Sequence, residues 1–184
     1  MNQRVLELGC GSNKACEDSV GLDRNPRACP DVLWDLDQFP YPFEDDSFDQ
    51  VLCYHILEHV GDFIRCVEEI HRILRPGGLL RVECPHFSSV GSFTDPTHRR
   101  FFTASTFDYF IDGTVCAGYQ YSEVRFRLLN RRVTFMKDRW MPRFFQRWLN
   151  NHIEFYERHW AFILQGNLVS YELEAVKGES PSPA

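Results

Sequence analysis

The sequence predicts an α/β domain with a doubly wound, mostly parallel sheet and an antiparallel C-terminal strand. Three observations carry that expectation. Short apolar runs recur at residues 4–8, 19–23, 31–35, 48–54 and 79–84, and a helical period separates the last two. The first run breaks into the turn Gly9-Cys10-Gly11, where an open α/β sheet places a ligand at the carboxyl end of its strands. The connections flanking the second run, Ser12–Ser19 and Arg24–Pro30, are very short. The first two crossover helices are therefore expected to be shortened or missing.

The first strand is Val5-Leu6-Glu7-Leu8, and the two glycines after it let the backbone approach a ligand closely. The second, Val20-Gly21-Leu22-Asp23, ends in an acid able to accept from both hydroxyls of a ribose. Together they make an adenosine-binding layout. A dinucleotide is disfavoured, because Lys14 stands where the third glycine of that fingerprint belongs. Between the two strands a helix could have at most about two turns, and Pro26 and Pro30 exclude one from the next connection. The third run ends in Trp34-Asp35-Leu36-Asp37. Strand 48–54 precedes a helix over about 60–74, where Phe63, Ile64, Val67, Ile70 and Leu74 recur at three- and four-residue intervals before Pro76-Gly77-Gly78. A strand at 79–84 and a helix over about 103–112 follow. Val124–Met136 and Asn167–Lys177 read as antiparallel partners, with Asp138–Leu164 a helical insertion between them.

Two further motifs complete a pattern. Phe43-Glu44-Asp45-Asp46-Ser47-Phe48-Asp49 opens the fourth strand, and Leu74-Arg75-Pro76-Gly77-Gly78 opens the fifth. With Glu7-Leu8-Gly9-Cys10-Gly11 they resemble the class I S-adenosylmethionine-dependent methyltransferases, in the small branch of the methyltransferase type 11 kind. The resemblance is strong over residues 4–86 and looser over 87–177. It implies a Rossmann-like fold and S-adenosylmethionine as cofactor. Residues 1–177 then form one domain, with 4–86 the cofactor-binding core and 87–112 and 138–164 a substrate lid. The tail 178–184 is expected to be disordered.

The resemblance also implies roles for particular residues. Glu7 would lie near the amino end of the cofactor's methionine, Gly9, Cys10 and Gly11 would bring their backbone against it, and Asp23 would take the ribose. Asp35 and Leu36 are expected to line the adenine pocket, with Asp37 as the alternative acid. Cys53, Tyr54 and His55 would flank the methionine, and Glu58 and His59 would cap or orient the following helix. Asp95-Pro96-Thr97-His98-Arg99-Arg100-Phe101-Phe102 looks like a segment that lies over the substrate side of the cofactor in this branch. His98, oriented by Asp95, is the first candidate for general base and His86 the second. A metal held by His86, Asp95 and His98, or by Cys10, Cys16 and Cys29, is considered and set aside, so no metal is expected.

Composition is compatible with this reading. The 184 residues are 43% hydrophobic, enough for one core, and no run has the length of a membrane span. Seven cysteines form no C-x-x-C pair and suit reduced thiols. With no leader sequence in view, a cytoplasmic location is expected. Residues 1–70 hold 5 Lys/Arg against 15 Asp/Glu, whereas the remainder holds 15 against 11. Arg125, Arg127, Arg131, Arg132, Arg143 and Arg147 are interleaved with aromatics, a pattern open to nucleic acid, an anionic membrane or substrate. An ordinary strand and amphipathic helix explains it equally. Nucleic acid is disfavoured by the net charge of −6, and peripheral membrane contact through 138–164 is the alternative. Of the aromatic residues, 20 follow His86 and 7 precede it, which suits a large, partly apolar acceptor, either a small molecule or one linked to a glycan or lipid. A non-catalytic partner subunit is the third reading, against which Glu7, Gly9, Gly11 and Asp23 all stand. The missing helices leave one side of the sheet thinly covered, so a later helix or a second subunit, in a homodimer, is expected to pack there.

Overall fold

The computed structural model describes residues 3–135 and 141–178. One seven-stranded sheet contains β1 (Val5–Leu8), β2 (Val20–Asp23), β3 (Val32–Leu33), β4 (Phe48–Tyr54), β5 (Leu74–Pro85), β6 (Arg125–Phe135) and β7 (Gly166–Val176), in the order β3-β2-β1-β4-β5-β7-β6. The first five strands pair in parallel, and β7 runs antiparallel to both β5 and β6. The helices are α1 (Phe63–Ile73), α2 (Gly91–Thr94), α3 (Arg143–Asn151) and α4 (Ile153–His159). The doubly wound order and the antiparallel end agree with the sequence reading.

The two early crossovers lack helices, as expected: residues 12–19 form turns, and Pro26–Ala28 a single 3-10 turn. A helix would satisfy its own amides, so here carboxylates do that work. Glu7 accepts from the Ala15 N–H at 2.9 and 3.0 Å and from Cys16 at 3.3 Å. Asp31 accepts from Gly21 at 2.7 Å and from Lys14 Nζ at 3.1 Å. Helix α1 is capped by Asp62, whose side chain accepts from the Arg65 N–H at 3.1 Å. Glu58 and His59 therefore do not cap it, contrary to expectation. Its Cys66, Val67, Ile70 and Ile73 are buried.

The helix expected over 103–112 is instead a five-residue 3-10 turn, Thr106–Phe110. Phe107 and Phe110 are both buried, and both rings contact Phe63. A 3-10 turn aligns residues i and i+3, which an α-helix would splay apart. The strand expected at 31–35 shrinks to the two residues of β3 at the sheet's edge. The insertion contains α3 and α4; Asp138 and the neighbouring residues 136–140 lie outside the described residues, as does the tail from 179.

One face of the sheet carries the core. Leu80, Val82 and Cys84 of β5 and Val169, Tyr171 and Leu173 of β7 are buried with α1, the 3-10 turn and α4. Phe107 contacts Tyr171, His71 contacts Phe126, and Tyr156 contacts Phe135. Asn150 of α3 caps the outer edge through both backbone groups of Val133, at 2.7 and 3.1 Å. On the opposite face Arg81 is exposed and pairs with Glu172 at 3.4 Å, and Arg127 pairs with Glu174 at 2.5 Å. The expectation that a later helix covers this face is corrected: among the described residues the helices pack on the other side or at the edge. Alternating polar residues on β5, β6 and β7 let this face meet water.

Candidate functional site

Two clefts open along the carboxyl ends of β1, β2, β4 and β5. The first, about 290 Å³, is bounded by Gly9, Asp23, Asp35, Leu36, Asp37, His55, Ile56 and His59. The second, about 650 Å³, is bounded by His55, Glu58, His59, Asp95 and His98. They share His55 and His59.

The glycine turn shapes the first cleft. Gly9 has φ +66° and Gly11 +55°, conformations that favour glycine. A Cβ on Gly9 would lie 2.4 Å from Ile56 Cγ1, whereas one on Gly11 would meet nothing within 4 Å. Asp23 accepts from the Gly11 N–H at 3.0 Å through Oδ2 and from Asn25 at 2.8 Å through Oδ1. Each oxygen keeps a lone pair for a hydroxyl, and the buried Leu36 supplies an apolar wall. Asp35 and Asp37 both border the cleft; Asp37 is tied to the Gly61 N–H at 2.7 Å, and Asp35 accepts from the Asp37 N–H at 3.0 Å. This donor set fits the adenosine half of S-adenosylmethionine.

The methionine end differs from expectation. Glu7 is 4% exposed, borders neither cleft and accepts from Ala15, Cys16 and Ser19, so it holds the loop. Cys10 is buried and its N–H donates to Leu22 O. Tyr54 and Cys53 border neither cleft, and burial raises both side-chain pKa values. His55 borders both clefts and has φ +54°, an uncommon conformation for a non-glycine residue. The Glu58 carboxylate, 3.6 Å from its Nδ1, favours the protonated ring against the opposing effect of burial.

In the second cleft the hydrogen bonds assign the free nitrogens. Thr97 Oγ1 donates to Asp95 Oδ1 at 2.7 Å and so accepts from His59 Nδ1 at 2.8 Å. His98 Nδ1 donates to Ser92 O at 3.0 Å. In the neutral form each ring therefore carries its proton on Nδ1 and turns Nε2 outward as the acceptor, and the ring centroids lie 4.7 Å apart. Asp95 therefore orients His59 through Thr97, and the expected direct support of His98 by Asp95 is corrected. The Thr97 hydroxyl and N–H hold the Asp95 pKa below its ordinary value.

His86, the second candidate base, is corrected outright. It is completely buried and borders neither cleft. Its Nδ1 lies 2.8 Å from Ser88 Oγ and its Nε2 3.1 Å from Glu157 Oε1, and a Cβ on Gly166 would come within 2.5 Å of the ring. It ties the end of β5 to α4. The sequence pointed elsewhere for Glu58, His59 and Thr97, although the spacing of Glu58-His59 after β4 was its available signal. Among the arginines of the basic stretch, Arg125 pairs with Asp112, Arg127 with Glu174 and Arg131 with Asp108, which fits the plain structural reading of that stretch.

Residues 6–82 match the family model described as "Methyltransferase domain". The chain is 36% identical over 126 residues to the mitochondrial 2-methoxy-6-polyprenyl-1,4-benzoquinol methylase of Rattus norvegicus, covering 66% of this chain and 34% of that protein. It is 37% identical over 115 residues to a demethylmenaquinone methyltransferase of Mycobacterium sp. (strain KMS), covering 54% of this chain and 46% of that protein. The chain thus spans less than half the length of either relative. Among solved structures, a SAM-dependent methyltransferase from Archaeoglobus fulgidus superposes with TM-score 0.59 at 18% identity, covering 94% of this chain and 86% of that one. A complex of the Haloferax volcanii Trm112 methyltransferase activator and a putative methyltransferase gives 0.60 at 20% identity, covering 97% and 84%. At such identities the superpositions establish the fold.

Proposed function

We propose that residues 6–82, which match the family model described as "Methyltransferase domain", are a methyltransferase domain of the class I, type 11 kind, and that the chain transfers the methyl group of S-adenosylmethionine to a small-molecule acceptor, apolar or lipid-linked, held in the second cleft. The observation that carries this reading is the meeting of the two clefts at His55 and His59. A cofactor bed and an acceptor chamber share one wall.

When bound, the cofactor supplies a methyl carbon made electrophilic by its sulfonium sulfur, which keeps the electron pair of the broken bond. The protein's task is then chiefly positioning. Asp23 would accept from the ribose hydroxyls, Leu36 and Ile56 would wall the base, and His55, whose ring lies between Glu58 and Glu83, would border the methionine end. His98 takes the proton that a hydroxyl or amine acceptor loses, through its open Nε2. The rat relative is named for a polyprenyl benzoquinol and the mycobacterial one for demethylmenaquinone, which supports an acceptor with an apolar tail. Phe144, Trp148, Phe155, Phe162 and Ile163 are exposed on and after α3 and α4 beside Arg143, Arg147 and Arg158. That surface suits peripheral contact with an anionic membrane.

Calorimetric titration with S-adenosylhomocysteine tests the premise. Micromolar binding is expected, weakened about 100-fold in Asp23→Ala, because two hydrogen bonds to a charged group are worth roughly 1.5 kcal/mol each. Absence of binding by the unaltered protein would overturn the reading.

A further inference from the structure

We propose that Glu58, His59 and His98 form a binding site for one divalent transition-metal ion of the zinc class, with its open coordination positions facing the second cleft. One ligand atom from each of the three lies within 4.8 Å of the others. A tetrahedral shell with bonds of about 2.0–2.1 Å holds its ligands about 3.4 Å apart, so closure requires movements of no more than about 1.4 Å.

Three independent features mark the cluster as built for a cation. Glu58 is 1% exposed, yet neither of its carboxylate oxygens has a well-formed hydrogen bond, and the Cys84 thiol and the His55 ring bear on it. Its nearest cation, His55 Nδ1, stands 3.6 Å from Oε1 alone and belongs to a half-exposed ring. A buried carboxylate left in that state is destabilising, and a bound cation removes the penalty. The second feature is the tautomer of each imidazole. His98 Nδ1 is spent on Ser92 O and His59 Nδ1 on Thr97 Oγ1, which is itself held by Asp95. A ligating histidine characteristically donates its other N–H to a carbonyl or a carboxylate-linked group, which fixes the ring and raises its basicity. The third is the donor chemistry. Two imidazoles and one carboxylate select zinc, cobalt, nickel or ferrous iron over magnesium and calcium, which prefer all-oxygen shells.

The site deepens the acceptor half of the function proposed above. It converts His98 from a free base into a ligand, so a hydroxyl acceptor bound at an open position is acidified by the ion instead. Metal binding itself does not depend on S-adenosylmethionine, which keeps the two readings separable.

The test is calorimetric titration of the chelator-treated full chain with zinc chloride in millimolar magnesium. Parallel titration with cobalt is followed by visible absorption. One equivalent should bind at micromolar affinity or tighter, with the intense d–d bands of a four- or five-coordinate cobalt. Glu58→Gln and His98→Ala should each weaken zinc at least 100-fold while each variant keeps a cooperative circular dichroism melt, which shows that it is folded whether or not S-adenosylhomocysteine binds. Zinc binding that both substitutions leave unchanged would place the ion elsewhere and overturn the proposal, as would failure of the unaltered protein to bind zinc.

Discussion

The two faces of the sheet solve the same problem by opposite means. On the covered face, side chains from distant segments converge, and Phe63, Phe102, Phe107, Phe110 and Tyr171 form one aromatic layer. On the open face, two helices are absent, and burial gives way to carboxylates that bond backbone amides near β1 and to ion pairs on β5, β6 and β7. The comparison teaches that a crossover helix can be dispensed with when its amides find side-chain acceptors and the strand residues beneath it are polar.

The largest expected effect lies on the covered face. Phe107→Ala removes a ring that is 1% exposed and should lower the unfolding free energy by about 3–5 kcal/mol, read from urea denaturation. Next comes the acid that replaces a helix. Glu7→Gln keeps the shape but loses the charge facing the Ala15 and Cys16 amides, and about 1.5–3 kcal/mol should be lost with the cofactor cleft loosened. An unchanged midpoint would mean that the loop stands without it, which would break the comparison.

A pH titration sharpens it further. Burial of His71 under Phe126 is the main cause of its pKa lying below the ordinary 6.5, against the opposing carbonyl of Val176. The folded protein therefore favours the neutral ring, so the stabilisation is complete above pH 6.5 and is lost as the pH falls below it, where the unfolded chain takes up the proton first. Melting temperature should decline in that window, and the decline should be smaller in His71→Gln. The smallest effect belongs to the open face. Arg81→Ala should change stability by no more than about 0.5 kcal/mol, because its partner Glu172 is as exposed as Arg81 itself. A larger loss would show that this face is covered in solution.

Much of the first cleft's lining was legible in the sequence because its signals are local. An apolar run, a glycine turn and a terminal acid are contiguous, and the short connections announced their missing helices by length alone. Asp23, Asp35 and Leu36 accordingly border the expected cleft. Glu7 was misread because a carboxylate at that point can face either a ligand or a loop. The helix expected at 103–112 failed for a related reason: its apolar spacing suited both helix types, and contact with Phe63 chose between them.

The sequence by itself determined the strand succession, the helix at α1 and the glycine turn and terminal acid that border the first cleft, since each rests on periodicity or spacing within about 20 residues. Tertiary structure alone decided that His86 is sealed in the core, that no helix among the described residues covers the sheet's second face, and that Glu58-His59 meets His98. Those outcomes depend on where side chains point after segments some 40 or more residues apart have packed. Residue identity does not encode that direction; the pleat, the turn at His55 and the tie from Asp95 through Thr97 to His59 impose it.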